Sequence, residues 1–161
     1  MTQLNLWGWD KKKRTMLRFI KPGDIFCFKM DKGEYYFGRI ISRLDVGDVA
    51  EIFDFSSSSP DITSDKILQL KRLVGPIILD SCSLFDRKIE QDTDWRIIGH
   101  QDEYIPENVE GVYFVYGVDR WCKKVDVFGN EIGITQEESK KYPRQIPHSN
   151  YDIKKLLISH L

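Results

Sequence analysis

No apolar run in this 161-residue chain comes near the ~18 residues that a membrane-spanning helix needs. Nor is there a signal-peptide pattern: Met1 to Asp10 has no basic start, and Lys11-Lys12-Lys13-Arg14 interrupts any apolar segment. The cytoplasm is therefore the expected compartment. Cysteine is scarce, with Cys27, Cys82 and Cys122 isolated and odd in number. That count argues against a disulfide framework and fits a reducing compartment. The three histidines (His100, His148, His160) are far apart, with no Cys-x-x-Cys and no His-x-x-x-His, so a structural zinc site is not expected. A Cys–His nucleophile pair can be distant in sequence, but no motif surrounds any of the three thiols. Phosphate-cradling glycine loops of the Gly-x-x-x-x-Gly-Lys or Gly-x-Gly-x-x-Gly kind are also missing. No metal, cofactor or catalytic residue is expected.

What is present is strand-forming sequence. Pro22-Gly23 stops the preceding segment, and Ile25 to Met30 then alternates Phe26, Phe28 and Met30 with Ile25, Cys27 and Lys29. Asp31-Lys32-Gly33 supplies a tight loop, and a second strand follows, with Tyr35, Phe37 and Ile41 on one side and Tyr36, Gly38 and Ile40 on the other. After the Asp45-Val46-Gly47-Asp48 turn, Val49 to Phe55 reads as a third strand of an antiparallel meander. Met16 to Ile20 reads as an edge strand leading into the hairpin. Trp7 and Trp9 read as a flap packed on the body, with base stacking as the functional option.

Past the four-serine loop, Ser59 and Pro60 suit a helix start, and Ile67, Leu70 and Val74 recur at helical spacing up to Gly75-Pro76. Ile77 to Leu79 is a short strand, Asp80 to Asp94 an acidic loop or strand pair, and Trp95 to His100 another strand. Gln101 to Gly111 is a polar connection. Val112 to Tyr116 and Trp121 to Phe128 form a second hairpin, and Gly129-Asn130 turns. Thr135-x-x-Glu138 has capping-box spacing for a short helix through Tyr142. Asn150 is placed to cap a terminal helix carrying Ile153, Leu156, Leu157 and Leu161. The expected fold is α+β: a mostly antiparallel, curved or barrel-like sheet with about three short helices. The length fits one domain, residues 1–161, with 1–15 as a loosely packed N-terminal segment.

The net charge of −1 hides an asymmetry. Residues 1–30 carry seven basic groups against two acidic ones, a balance of +5, whereas residues 45–110 carry fifteen acidic groups against six basic ones, a balance of −9. Either this is the scatter of a solvated surface or it steers a charged partner. The acidic middle suits a basic protein partner, since carboxylates pair with the lysines and arginines that a nuclease turns toward phosphate. The alternative is a small nucleic-acid-binding module using Trp7, Trp9 and Lys11 to Arg14, a ligand that the −9 region would repel.

Four ordered blocks carry a resemblance. Lys21-Pro22-Gly23-Asp24-Ile25-Phe26, then Asp31 to Ile41, then Ala50-Glu51-Ile52-Phe53-Asp54, then Trp95 to His100 together resemble the immunity protein 26 family of bacterial polymorphic toxin systems, over roughly residues 14–100. The resemblance implies a protein without catalysis. Such a protein binds the C-terminal domain of a cognate toxin in the cytoplasm and blocks it, as in contact-dependent growth inhibition. Toxin-contacting residues vary between relatives and do not carry over. The acidic connections are the expected contact surface: Asp86, Glu90, Asp92, Asp94, Asp102, Glu103, Glu107 and Glu110. No membrane partner is expected, and nothing in the sequence indicates a homo-oligomer.

Overall fold

A computed structural model describes residues 3–12, 14–86 and 94–161. Its main feature is a six-stranded antiparallel sheet built on the hairpin of β2 (Asp24–Lys29) and β3 (Tyr35–Leu44). β4 (Gly47–Ser57) and β5 (Arg72–Leu79) extend it on one side, and β6 (Trp95–Gln101) and β1 (Leu4–Leu6) on the other, in the order β1-β6-β2-β3-β4-β5. β1 and β5 are the outer strands and do not pair with each other, so the sheet, broken by register shifts, is not closed; the end of β5 also bridges to His148. A second, three-stranded sheet comprises β7 (Phe114–Tyr116), β8 (Lys123–Val125) and β9 (Glu131–Gly133). The fold is α+β.

The alternation read from the hairpin sorts its side chains onto two faces. Phe26, Phe28, Tyr36, Ile40 and Ile52 enter one core with Trp95, whose indole lies parallel to the Phe28 ring at 3.9 Å between centroids. Ile25, Cys27, Phe37 and Phe53 enter another on the opposite face. Burial pushes the Cys27 thiol pKa far up, so it behaves as a small hydrophobe. A third cluster joins the two sheets: Ile41, Leu44, Val49 and Ile78 pack on Phe114, Val125 and Val127.

Four short α-helices lie among the described residues: α1 (Ser64–Gln69), α2 (Ser81–Phe85), α3 (Gln136–Ser139) and α4 (Asn150–Ile158). Several sequence expectations need correction. The helix expected up to Gly75-Pro76 stops at Gln69, and its cap is Thr63, whose hydroxyl accepts from the Lys66 N–H at 3.2 Å. The residues from Arg72 onward pair with β4 instead. Proline is tolerated there because β5 is an edge strand and Gly75-Pro76 lies where the ladder slips past Glu51. The Asp80 region opens into α2 rather than a loop or strand pair. The N-terminal edge strand is Leu4–Leu6, while Leu17–Phe19 is a single 3-10 turn. Ser149, not Asn150, caps α4, in a reciprocal capping box with Asp152. The Asn150 side chain instead accepts from the Trp95 indole N–H at 2.8 Å.

Candidate interaction surface

The polar connection between β6 and β7 forms a ridge over the β3–β4–β5 end of the large sheet. Its position depends on Arg72 at the start of β5. That guanidinium donates through Nε to Glu51 at 3.2 Å, through Nη1 to the Asn108 carbonyl at 2.8 Å and through Nη2 to the Glu107 carbonyl at 3.0 Å. Glu51 is buried and also accepts from Arg39 Nη1 at 3.3 Å, so one carboxylate is held between two guanidinium groups. Such a buried arrangement holds only while all its partners stay in place. Glu103 and Asn108 take left-handed backbone conformations, φ 55° and 56°, that bend the ridge.

A depression lies on each side of the ridge. One, of about 750 Å³, is lined by Arg39, Glu51, Arg72, Gln101, Glu103 and Tyr104 among others. In its wall the Arg39 guanidinium lies 5.0 Å from the centre of the Tyr104 ring, and Gln101 Oε1 is buried without a hydrogen-bond partner among the described residues. Burial, with the Glu51 charge nearby, pushes the Tyr104 phenol up to about 12, so it stays neutral. The other depression, of about 800 Å³, lies between Pro106 to Glu110 and Phe128.

The eight acidic residues expected at the contact surface occupy different situations. Asp86 is paired with Arg14 at 2.7 Å and Asp94 with Arg96 at 3.3 Å. Asp102 lies 3.6 Å from His100 Nε2. Glu103, Glu107 and Glu110 stand exposed on the ridge and form no ion pair among the described residues. Glu90 and Asp92 lie outside the described residues. Arg72 escaped notice in the sequence because its acceptors on the ridge are 35 and 36 residues away and are backbone carbonyls, which leave no side-chain signature.

The N-terminal aromatic and basic cluster is built differently from a stacking platform. Trp9 is only 8% exposed, with the Arg96 guanidinium 4.0 Å above its ring and the Tyr35 ring edge-on to it. The Trp7 indole N–H donates to the Ile97 carbonyl at 3.0 Å, and the Lys12 ammonium lies over its ring. Base stacking requires an open ring face, which the packing at Trp9 removes. Nearby, a smaller depression of about 400 Å³ includes Trp7, Lys12, Asp24, His100 and Asp102. There Asp24 Oδ1 lies 2.8 Å from His100 Nδ1, and burial holds the Asp24 carboxyl above its ordinary range despite its hydrogen bonds to Lys21 and His100.

No group of three or more His, Cys, Asp or Glu side chains among the described residues is arranged to hold a metal ion. No helix among them is long and apolar enough to cross a membrane. The family model for immunity protein 26 matches residues 21–124, a stretch that takes in β2 to β6, the ridge and the β7–β8 hairpin up to Lys124. No curated protein and no solved structure matches the chain.

Proposed function

The chain belongs to the immunity protein 26 family, and from that premise we propose that it binds the C-terminal domain of a cognate bacterial toxin in the cytoplasm and neutralises it as a stoichiometric complex, without catalysis. The toxin belongs to a polymorphic, contact-delivered system, and its active domain is a nuclease. The contact surface is the ridge between β6 and β7. The observation that carries this choice is the group of Glu103, Glu107 and Glu110, exposed and without an ion pair among the described residues, on a backbone clamped by Arg72. A nuclease presents lysines and arginines to a phosphate backbone, and carboxylates held on a rigid support can occupy them.

Co-expression provides the test. The toxin domain encoded next to this chain is expressed with and without it, and nucleic-acid integrity, growth and complex mass by light scattering are followed. Protection together with a one-to-one complex is expected. A toxin domain that still kills in the presence of excess chain sinks the proposal. Intact nucleic acid in dying cells removes the nuclease assignment alone.

A further inference from the structure

The turn between β8 and β9 exposes a large apolar side chain on a rigid mount. Val127 is buried in the cluster that joins the two sheets, and this anchors the turn from below. The next residue, Phe128, is 60% exposed. Asp126 holds the turn closed. Its Oδ1 accepts from the backbone N–H of Phe128 and of Asn130, both at 2.9 Å, and its Oδ2 accepts from Asn130 Nδ2 at 3.0 Å. Two backbone bonds, Asp126 N–H to the Asn130 carbonyl and Gly129 N–H to the Asp126 carbonyl, complete it.

Across from Phe128 stands the ridge, and it is equally fixed. Arg72 holds the Glu107 and Asn108 carbonyls, and Val109 packs on the same apolar cluster as Val127. The depression of about 800 Å³ thus has an aromatic ring on one wall and Glu107 and Glu110 on the other. A single exposed phenylalanine is ordinary on a protein surface. An exposed ring on a pre-formed turn that lines one concavity together with two exposed glutamates is a combination that suits one chemistry. A lysine or arginine side chain has an apolar stem that covers an aromatic ring and a cationic head that carboxylates attract.

We infer that this depression is a socket for a lysine or arginine side chain of the toxin domain, whose stem lies on Phe128 and whose charged head reaches Glu107 and Glu110. The inference rests on the proposed function and adds to it an apolar anchor at the edge of the acidic surface. Rigid walls favour such a role because little side-chain or loop entropy is lost when the partner arrives. Trp121, in the 3-10 turn between β7 and β8, provides a comparison. It is 66% exposed, but its own neighbour Arg120 already lies over the ring at 5.1 Å.

The experiment measures binding kinetics of the full chain to the toxin domain encoded beside it, for wild type, Phe128→Ala, Phe128→Leu and Trp121→Ala. Phe128→Ala is expected to weaken binding by about thirtyfold, chiefly through faster dissociation, as removal of an interface anchor does. Phe128→Leu keeps an apolar stem contact and is expected to lose only about threefold, and Trp121→Ala less than about twofold. Combining Phe128→Ala with Glu107→Gln and Glu110→Gln should give a loss smaller than the product of the separate losses, because the groups grip one side chain. Phe128→Leu and the glutamine pair keep the test valid if Phe128→Ala melts early. Binding of Phe128→Ala within about twofold of wild type overturns the socket and leaves the proposed function standing. Equal losses for Phe128→Ala and Trp121→Ala overturn it too. Wild-type chain that does not bind the toxin domain overturns both.

Discussion

Asp48 shows what a single residue in this sheet does to stability. It sits at the start of β4 and is buried, its Oδ2 accepting from the Ser81 hydroxyl at 2.7 Å and its Oδ1 3.4 Å from Arg43 Nε. Burial pushes its carboxyl pKa above the ordinary 3.8, and the Ser81 hydrogen bond and the Arg43 charge only partly offset that. The folded chain therefore binds this proton more tightly than the unfolded chain does. At neutral pH the buried carboxylate destabilises the fold, and acidification relieves that cost as pH falls through the folded pKa, until the unfolded side chain also protonates near 3.8. Asp126 and Asp152 act in the other direction: partial burial raises Asp126, but the several hydrogen bonds it accepts outweigh that, and those from Ser149 lower Asp152, so both lie below 3.8 and their contribution is lost only under stronger acid. Between neutrality and about pH 4.5, the Asp48→Asn variant should gain less stability on acidification than wild type. Urea unfolding at several pH values measures this, and parallel pH profiles for the two proteins would contradict it. None of this was visible in the sequence, where Asp48 read as one more polar residue of a turn. Its burial depends on Ser81, 33 positions away.

Among the elements, those that repeat a pattern over their whole length were legible. The β2–β3 hairpin and β4 could be read because alternation over six to eleven residues is a long signal and each turn carries its own glycine. Of β5 only Ile77 to Leu79 was read as strand; its first part was read as helix because Ile67, Leu70 and Val74 match helical spacing over three positions, while the competing force is pairing with β4, which lies elsewhere in the chain. The α4 cap was off by one residue because Ser149 and Asn150 are both good caps, and the choice was made by Trp95, which takes the Asn150 side chain for itself. The ridge was legible only as composition. Its acids were countable, but the clamp that makes it a surface belongs to Arg72. Arg72→Lys tests the clamp at this scale. Lysine keeps a charge for Glu51 yet has no planar fork with which to reach Glu51 and two carbonyls at once. The variant should stay folded, with amide exchange over residues 103–110 accelerated by about tenfold or more relative to β2 and β3. Unchanged exchange there would mean that the ridge is held by its packing alone.

For the whole molecule, block counts of charge describe the chain before it pairs with itself. The −9 of residues 45–110 contracts on folding, because three arginines from outside that stretch pair with its acids: Arg14 with Asp86, Arg43 with Asp48 and Arg39 with Glu51. The basic start of the chain is likewise partly spent, with Arg14 on Asp86 and Lys12 on the Trp7 ring. With a net charge of −1, no long-range attraction for a basic partner follows from the molecule as a whole. Whatever steering exists comes from the ridge, at short range, where the Debye length decides its reach: about 30 Å at 0.01 M salt and about 3 Å at 1 M. Association with the toxin domain should therefore slow by about tenfold or more across that range while dissociation changes far less. Reversing Glu103, Glu107 and Glu110 to lysine should slow association at low salt and flatten the salt dependence. The same reversal at Asp65, exposed in the first turn of α1 and not part of the ridge, should leave both nearly unchanged. A triple variant that associates at the wild-type rate at low salt would show that the toxin does not approach along the ridge. An Asp65 variant that slows as much as the triple variant would mean that total charge, rather than the ridge, sets the rate.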